Sequence, residues 1–202
     1  MLRAADSANR GVEETRLRIL AAVRGLYAAK GSRGTTTREV ATRAAVNEAT
    51  LFRHFGTKQQ LITAMLDHYN GGSEIQEALE TLGRLPAIED QLRELGCSAI
   101  EVMRRKEDLI KVAMAEEITN PAGHLCAWRA PAATKERLTR YFAGKVESGA
   151  LRGNPDWLAR VFMSMFFSYV MARQLWAQLG EPSDDEAVTT MIEIFLNGAR
   201  AN

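Results

Sequence analysis

Three features of the 202-residue chain predict an all-α fold. Apolar residues recur at helical spacing along most of its length. Capping residues and Gly or Pro breaks punctuate those runs. Near the N-terminus, Thr35–Lys58 (TTTREVATRAAVNEATLFRHFGTK) reads as two short helices joined by a tight turn. The expected architecture is an N-terminal three-helix helix-turn-helix head plus a C-terminal helical bundle. Its expected boundaries are a flexible tail at 1–11, a head at 12–57 and a body at 58–202.

The supporting helix comes first, over about 13–30, where Ile19, Ala22, Val23, Leu26 and Tyr27 share one face and Gly31 supplies a stop. Before it, Arg3 and Arg10 are candidates for a basic arm, set against a tail with no role. Thr36 stands three residues before Glu39, the spacing of a capping box, and opens a helix running to about Ala44. The turn follows at Ala45-Val46, and Asn47 caps a second helix that ends near His54. Val40, Ala41, Val46 and Leu51 fall where two crossed helices need small or apolar residues. The outward positions Asn47, Glu48, Ala49, Thr50 and Arg53 are polar or small, which suits a major groove better than a core.

Charge supports that reading. Residues 1–60 carry 11 Lys/Arg against 5 Asp/Glu, whereas the remaining 142 carry 15 against 20. A basic head on an acidic body is the footprint of a nucleic-acid reader joined to something else. Five Pro, 46% apolar residues and the lack of a long apolar run indicate a soluble globule. The opening MLRAADSANR has no apolar core of a secretory signal, and no stretch approaches the ~18 apolar residues of a membrane helix. With only Cys97 and Cys126, a reducing cytoplasm is expected and a membrane partner is not.

At T-T-R-E-V-A…A-V-N-E-A-T-L-F-R-H-F-G-T-K the chain resembles the DNA-binding domain of TetR-family transcriptional regulators. That resemblance implies that Thr37 binds phosphate and that Arg38 reaches a base edge or the backbone. It places Asn47, Glu48, Ala49 and Thr50 on the base-facing turn. Asn can pair with adenine, Glu can accept from cytosine, and the Ala and Thr methyls can meet a thymine methyl. For Glu48 a bystander role stands equally open, because an acid repels phosphates unless it meets a cytosine. Arg53, His54 and Lys58 are expected to hold phosphates, with register and affinity as their contribution. Two positions depart from the family pattern. Phe52 stands where Tyr is frequent, which removes a hydroxyl contact. Ala45 stands where Gly is frequent, and a positive φ there costs on the order of 1 kcal/mol.

The body reads as helices over about 58–69, 73–82, 87–105, 107–117, 131–148, 156–179 and 182–198. The helix from Asp156 is apolar on nearly every side, and Val188, Met191, Ile192 and Phe195 form a stripe on the last. These two helices dimerise the resembled family, so a homodimer is expected with Phe162, Phe166, Val170, Met191 and Phe195 at its interface, against a buried core helix in a monomer. An unidentified small-molecule effector would be lined by residues drawn from Met103, Met114, His124, Trp128, Tyr141, Phe142, Phe166, Phe167 and Tyr169, all of which also suit a plain core. Arg173 and Gln174 are candidates to orient a polar ligand. His124 and Cys126 offer two ligands where zinc needs three or four, so no metal and no cofactor are expected. The sequence holds no paired-acid motif, phosphate loop or nucleophile elbow, which argues against an enzyme. The expected function is a dimeric, sequence-specific DNA-binding regulator, a repressor released from a palindromic double-stranded operator by its ligand. The competing reading is a helix-turn-helix that binds protein.

Overall fold

The structure is a computed structural model that describes residues 2–70, 73–82, 85–119, 129–173, 180 and 182–199. Its helices, in chain order, are α1 (Leu2–Gly34), α2 (Thr37–Arg43), α3 (Glu48–Phe55), α4 (Lys58–Asn70) and α5 (Ser73–Thr81). They continue as α6 (Ile88–Arg105), α7 (Glu107–Thr119), α8 (Arg129–Glu147), α9 (Pro155–Met171) and α10 (Asp184–Ala199). The fold is all-α, as the periodicity predicts.

Two compact units divide the chain. The first comprises residues before Gly72 together with the segment that begins at Asp108. The second comprises Gly72–Glu107 and the chain from Arg129 onward. The expected boundary at residue 58 is therefore displaced. Helix α4 packs with the head because Leu61, Ile62, Met65 and Leu66 turn one apolar face onto α1, and α7 joins the same core through Leu109.

The head's core is built from Ile19, Leu20, Val23 and Tyr27 of α1, closed by Val40, Leu51 and Met65, all fully buried. Helix α1 does not start after a tail, as expected for 1–11, but reaches back to Leu2. The segment contains Leu, Ala and Arg, which are strong helix formers, and no Pro, so propensity continues a helix that has no apolar stripe to announce it. At Gly31 the regular helix breaks (φ 68°, ψ −176°), the expected stop, and a last turn follows to Gly34.

In the second unit four phenylalanines fill the centre. Phe142 meets Phe162 and Phe195 at centroid separations of 5.7 and 5.6 Å, and Phe162 lies 5.0 Å from Phe166. The tilted and edge-on arrangements are those that ring quadrupoles favour. Gly96 lets α6 approach this cluster closely. A Cβ there would stand 2.6 Å from Cζ of Phe166 and 3.2 Å from Cγ1 of Val188. Helix α9 starts cleanly, with Asn154 accepting from the N–H groups of Asp156 and Trp157 and Pro155 at its first turn. It ends at Met171 with Ala172 as its C-cap, and residues 174–179 of the expected helix lie outside the described residues.

The interface expected at Phe162, Phe166, Val170 and Phe195 is corrected by this packing. These side chains are 0–5% exposed within one subunit, and Met191 packs against the same cluster. Their helical stripe faces the subunit's own core, and a side chain already buried there has no surface to offer a second copy.

Gly96→Val is expected to lower stability by about 1–3 kcal/mol, because the added side chain has no space beside Phe166. Urea denaturation followed by circular dichroism measures this, and an unchanged midpoint would contradict the packing described.

Candidate nucleic-acid interface

The face that bears the motif is assembled from caps. Thr36 is extended (φ −97°, ψ 147°) and its hydroxyl oxygen accepts from the Glu39 N–H at 3.2 Å. The same hydroxyl donates to Oε2 of Glu39 at 3.1 Å, and Nζ of Lys30 on α1 donates to Oε1 at 2.7 Å. Those two hydrogen bonds, Lys30 first, hold the Glu39 carboxyl below its usual range. Through Glu39 the first turn of α2, with half-buried Thr37 and exposed Arg38, is tied to α1.

A second clasp sits one step earlier. The Glu116 carboxylate of α7 accepts from the Tyr27 hydroxyl at 2.7 Å and from the Ser32 backbone N–H. Thr35, 1% exposed, donates its hydroxyl to the Gly31 carbonyl at 2.8 Å. Burial, followed by the bond to Glu116, pushes the Tyr27 phenol well above its ordinary value, so it remains a donor throughout the physiological range. The stretch that delivers the chain into α2 is thereby held at both ends.

The turn between α2 and α3 is a Schellman closure. The Val46 N–H reaches the Ala41 carbonyl at 3.0 Å and the Ala45 N–H reaches Thr42 at 3.2 Å. That geometry requires a left-handed residue at position 45. Ala45 has φ 53°, the one positive φ on a non-glycine among the described residues, as the sequence departure implies.

Helix α3 is only eight residues long. Asn47 caps it, Oδ1 accepting from the Thr50 N–H at 2.7 Å, and Gly56 (φ 76°) closes it. Leu51 and Phe55 are buried. Asn47, Ala49 and Arg53 are exposed, while Glu48, Thr50 and His54 are half-buried. Thr57 and Gln60 then form a full capping box at the start of α4, with reciprocal bonds of 3.1 and 2.9 Å. Half-buried Lys58 is the first residue of that helix. All nine residues expected to meet DNA thus lie on three consecutive helix starts and the outer face of α3. Phe52, noted in the sequence for the hydroxyl it lacks, is also on this surface. Its ring is 42% exposed on α3.

The pocket candidates do not gather in one place. Phe142 and Phe166 are solid core. Met103 packs at the edge of that core, Phe167 is half-buried and Met114 is 37% exposed in the first unit. Tyr141 donates to Oε1 of buried Gln91 at 2.8 Å, and burial pushes its phenol up. Tyr169 donates to Asp184 at 2.9 Å, and Arg104 also reaches that carboxylate at 2.6 Å. Arg173 is exposed beyond the end of α9. His124, Cys126, Trp128 and Gln174 lie outside the described residues. Among the described residues no group of three or more metal-ligating side chains occurs, and no helix is long and apolar enough to cross a membrane.

This geometry is that of a helix-turn-helix presenting a short recognition helix. The family model for bacterial regulatory proteins of the tetR family matches residues 19–65, and that for the AefR-like transcriptional repressor C-terminal domain matches 90–198. The chain is 34% identical over 167 residues to the HTH-type transcriptional regulator YvkB of Bacillus subtilis, spanning 79% of this chain and 82% of that protein. Its fold is similar to that of a TetR-family regulator from Mesorhizobium loti (TM-score 0.76, 20% identity, 94% and 98% of the two chains). It is also similar to AibR, whose crystal structure holds isovaleryl coenzyme A and operator DNA (TM-score 0.63, 18% identity, 90% and 97%). The chain belongs to the TetR family of helix-turn-helix transcriptional regulators.

Ala45→Gly is expected to stabilise the head by up to about 1 kcal/mol, since glycine adopts a positive φ without the Cβ clash. Thermal denaturation checks it, and a lower melting temperature would show that Ala45 is unstrained.

Proposed function

We propose that this chain acts in the cytoplasm as a homodimeric repressor that leaves a palindromic operator when a small molecule binds its body. One observation carries the DNA half of this reading. The eight-residue α3 buries Leu51 and Phe55 and leaves Ala49, Phe52 and Arg53 outward, with Arg38 and Lys58 at the flanking helix starts. A helix with side chains is about 10–12 Å across, and the major groove is about 12 Å wide. Inserted there, α3 meets base edges through Asn47, Glu48, Ala49 and Thr50. Thr37, Arg53, His54 and Lys58 then meet the phosphates on either side.

Dimerisation is supported by the outward faces of α9 and α10. Trp157, Val161, Ser164 and Ser168 form one exposed stripe on α9, with Trp157 65% and Val161 47% exposed. On α10 Thr190, Ile194 and Asn197 form another, with Ile194 64% exposed. Apolar anchors among small side chains suit close helix packing across a two-fold axis better than solvent. These residues replace the buried phenylalanines as the proposed interface. AibR, a protein of the same fold, holds an acyl-coenzyme A and operator DNA, which supports reading the second unit here as an effector domain. A ligand releases DNA only in so far as it binds the two states of the dimer with different affinity.

Arg38→Ala is expected to cost about 1–3 kcal/mol of operator affinity and to relax preference at one base pair, whereas Lys58→Ala weakens all sequences alike and lowers the salt slope by about one. Titration of labelled duplexes over a range of salt separates these effects. Full affinity and specificity in both variants would overturn the docking described.

A further inference from the structure

Beside the recognition helix lies a cleft of about 550 Å³ between α1 and α3, with the helix-turn-helix forming one side and α1, outside the motif, the other. One wall is the face of α1 bearing Gly11, Thr15 and Arg18, spaced i, i+4, i+7. The other is the turn and α3, from which Asn47, Thr50, Arg53 and His54 contribute. Ten residues line the cleft, and none of them is acidic. Glu13 and Glu14 of α1 and Glu48 of α3 adjoin lining residues without lining the cleft, and Glu13 turns to Arg16 at 3.8 Å. Within the cleft the Arg18 guanidinium makes a long 3.4 Å contact to the Thr15 hydroxyl, which itself donates to the Gly11 carbonyl at 2.8 Å.

We infer that this cleft receives the sugar-phosphate strand flanking the groove read by α3, and that Arg18 and Thr15 of α1 are DNA-backbone contacts outside the helix-turn-helix. The inference rests on the DNA-binding reading above and extends it. A recognition helix nearly fills the major groove, so whatever stands at its flank meets a backbone strand. Here that flank is a second helix with an arginine and a hydroxyl facing Arg53 and His54 across an acid-free gap. Two cationic walls around an open channel suit a polyanionic strand. They would contribute register and affinity without sequence information. The helical continuation of α1 toward Leu2 lengthens this wall beyond Thr15 and Arg18 by Val12 and Gly11.

The test compares wild type, Arg18→Gln, Thr15→Glu and Arg140→Gln on a mixed-sequence duplex long enough for two half-sites, at several salt concentrations. Arg18 is exposed and Gln matches Arg in helix propensity, so the fold is retained, which circular dichroism verifies. Arg140, exposed and paired with Glu136 in the second unit, controls for loss of one charge. Arg18→Gln is expected to bind roughly tenfold more weakly, with a salt slope shallower by about one. Thr15→Glu, which places an acid in the cleft, is expected to bind at least as weakly, and Arg140→Gln like wild type. Sequence preference in a selected pool stays the same for every variant. Wild-type binding retained in Arg18→Gln and Thr15→Glu would overturn this inference and leave the helix-turn-helix reading standing. A wild-type protein without salt-dependent DNA binding would overturn both.

Discussion

The structure depends on holding in place a helix too short to hold itself. Eight residues are fewer than an isolated helix needs to persist in water, because the first turn fixes several dihedrals for one hydrogen bond. Helix α3 must nevertheless keep one face free for its target, so it can bury only Leu51 and Phe55. The deficit is made up by neighbours: the Asn47 cap, the Schellman turn before it, glycine at position 56, and a core from α1, α2 and α4 beneath. Rigidity is thereby borrowed from the surroundings, and the outward side chains stay at a fixed spacing that a groove can match.

The same logic extends to the start of α2. Gly31, Thr35 and Thr36 form an irregular passage whose backbone groups would otherwise lack partners. Glu116 and the Thr35 hydroxyl satisfy two of them, and Glu39 joins α2 to Lys30 of α1. One of these groups comes from α7, more than eighty positions along the chain. The head is therefore a composite of residues before Gly72 and residues after Glu107, and its geometry is sensitive to what α7 does.

Legibility followed the range of the interactions concerned. The Thr36 capping box and the Asn47 cap are local and were readable from the residues themselves, and the Ala45 turn was legible through the resemblance, because glycine is frequent there in the family. Helix positions followed from apolar spacing for the same reason. The N-terminal extension of α1 escaped because nothing apolar marks it. The interface assignment failed on a different ground. Periodicity shows that Phe162, Phe166, Val170 and Phe195 share a buried stripe but not whose core receives it, and the subunit's own phenylalanine cluster does. Glu116 and the Arg18 cleft were invisible because an acid or a basic residue on a helix acquires meaning only when another element is brought against it. Pocket residues were hardest, since an aromatic in a core and one beside a ligand follow the same spacing.

Selection from a pool of random duplex DNA at physiological salt, followed by sequencing, tests the central claim most directly. A dimer carrying two such heads predicts enrichment of a palindrome whose half-sites lie about one helical turn, or a multiple of it, apart. A pool that stays random, or one enriched in a lone half-site without two-fold symmetry, would contradict the account of a dimeric reader.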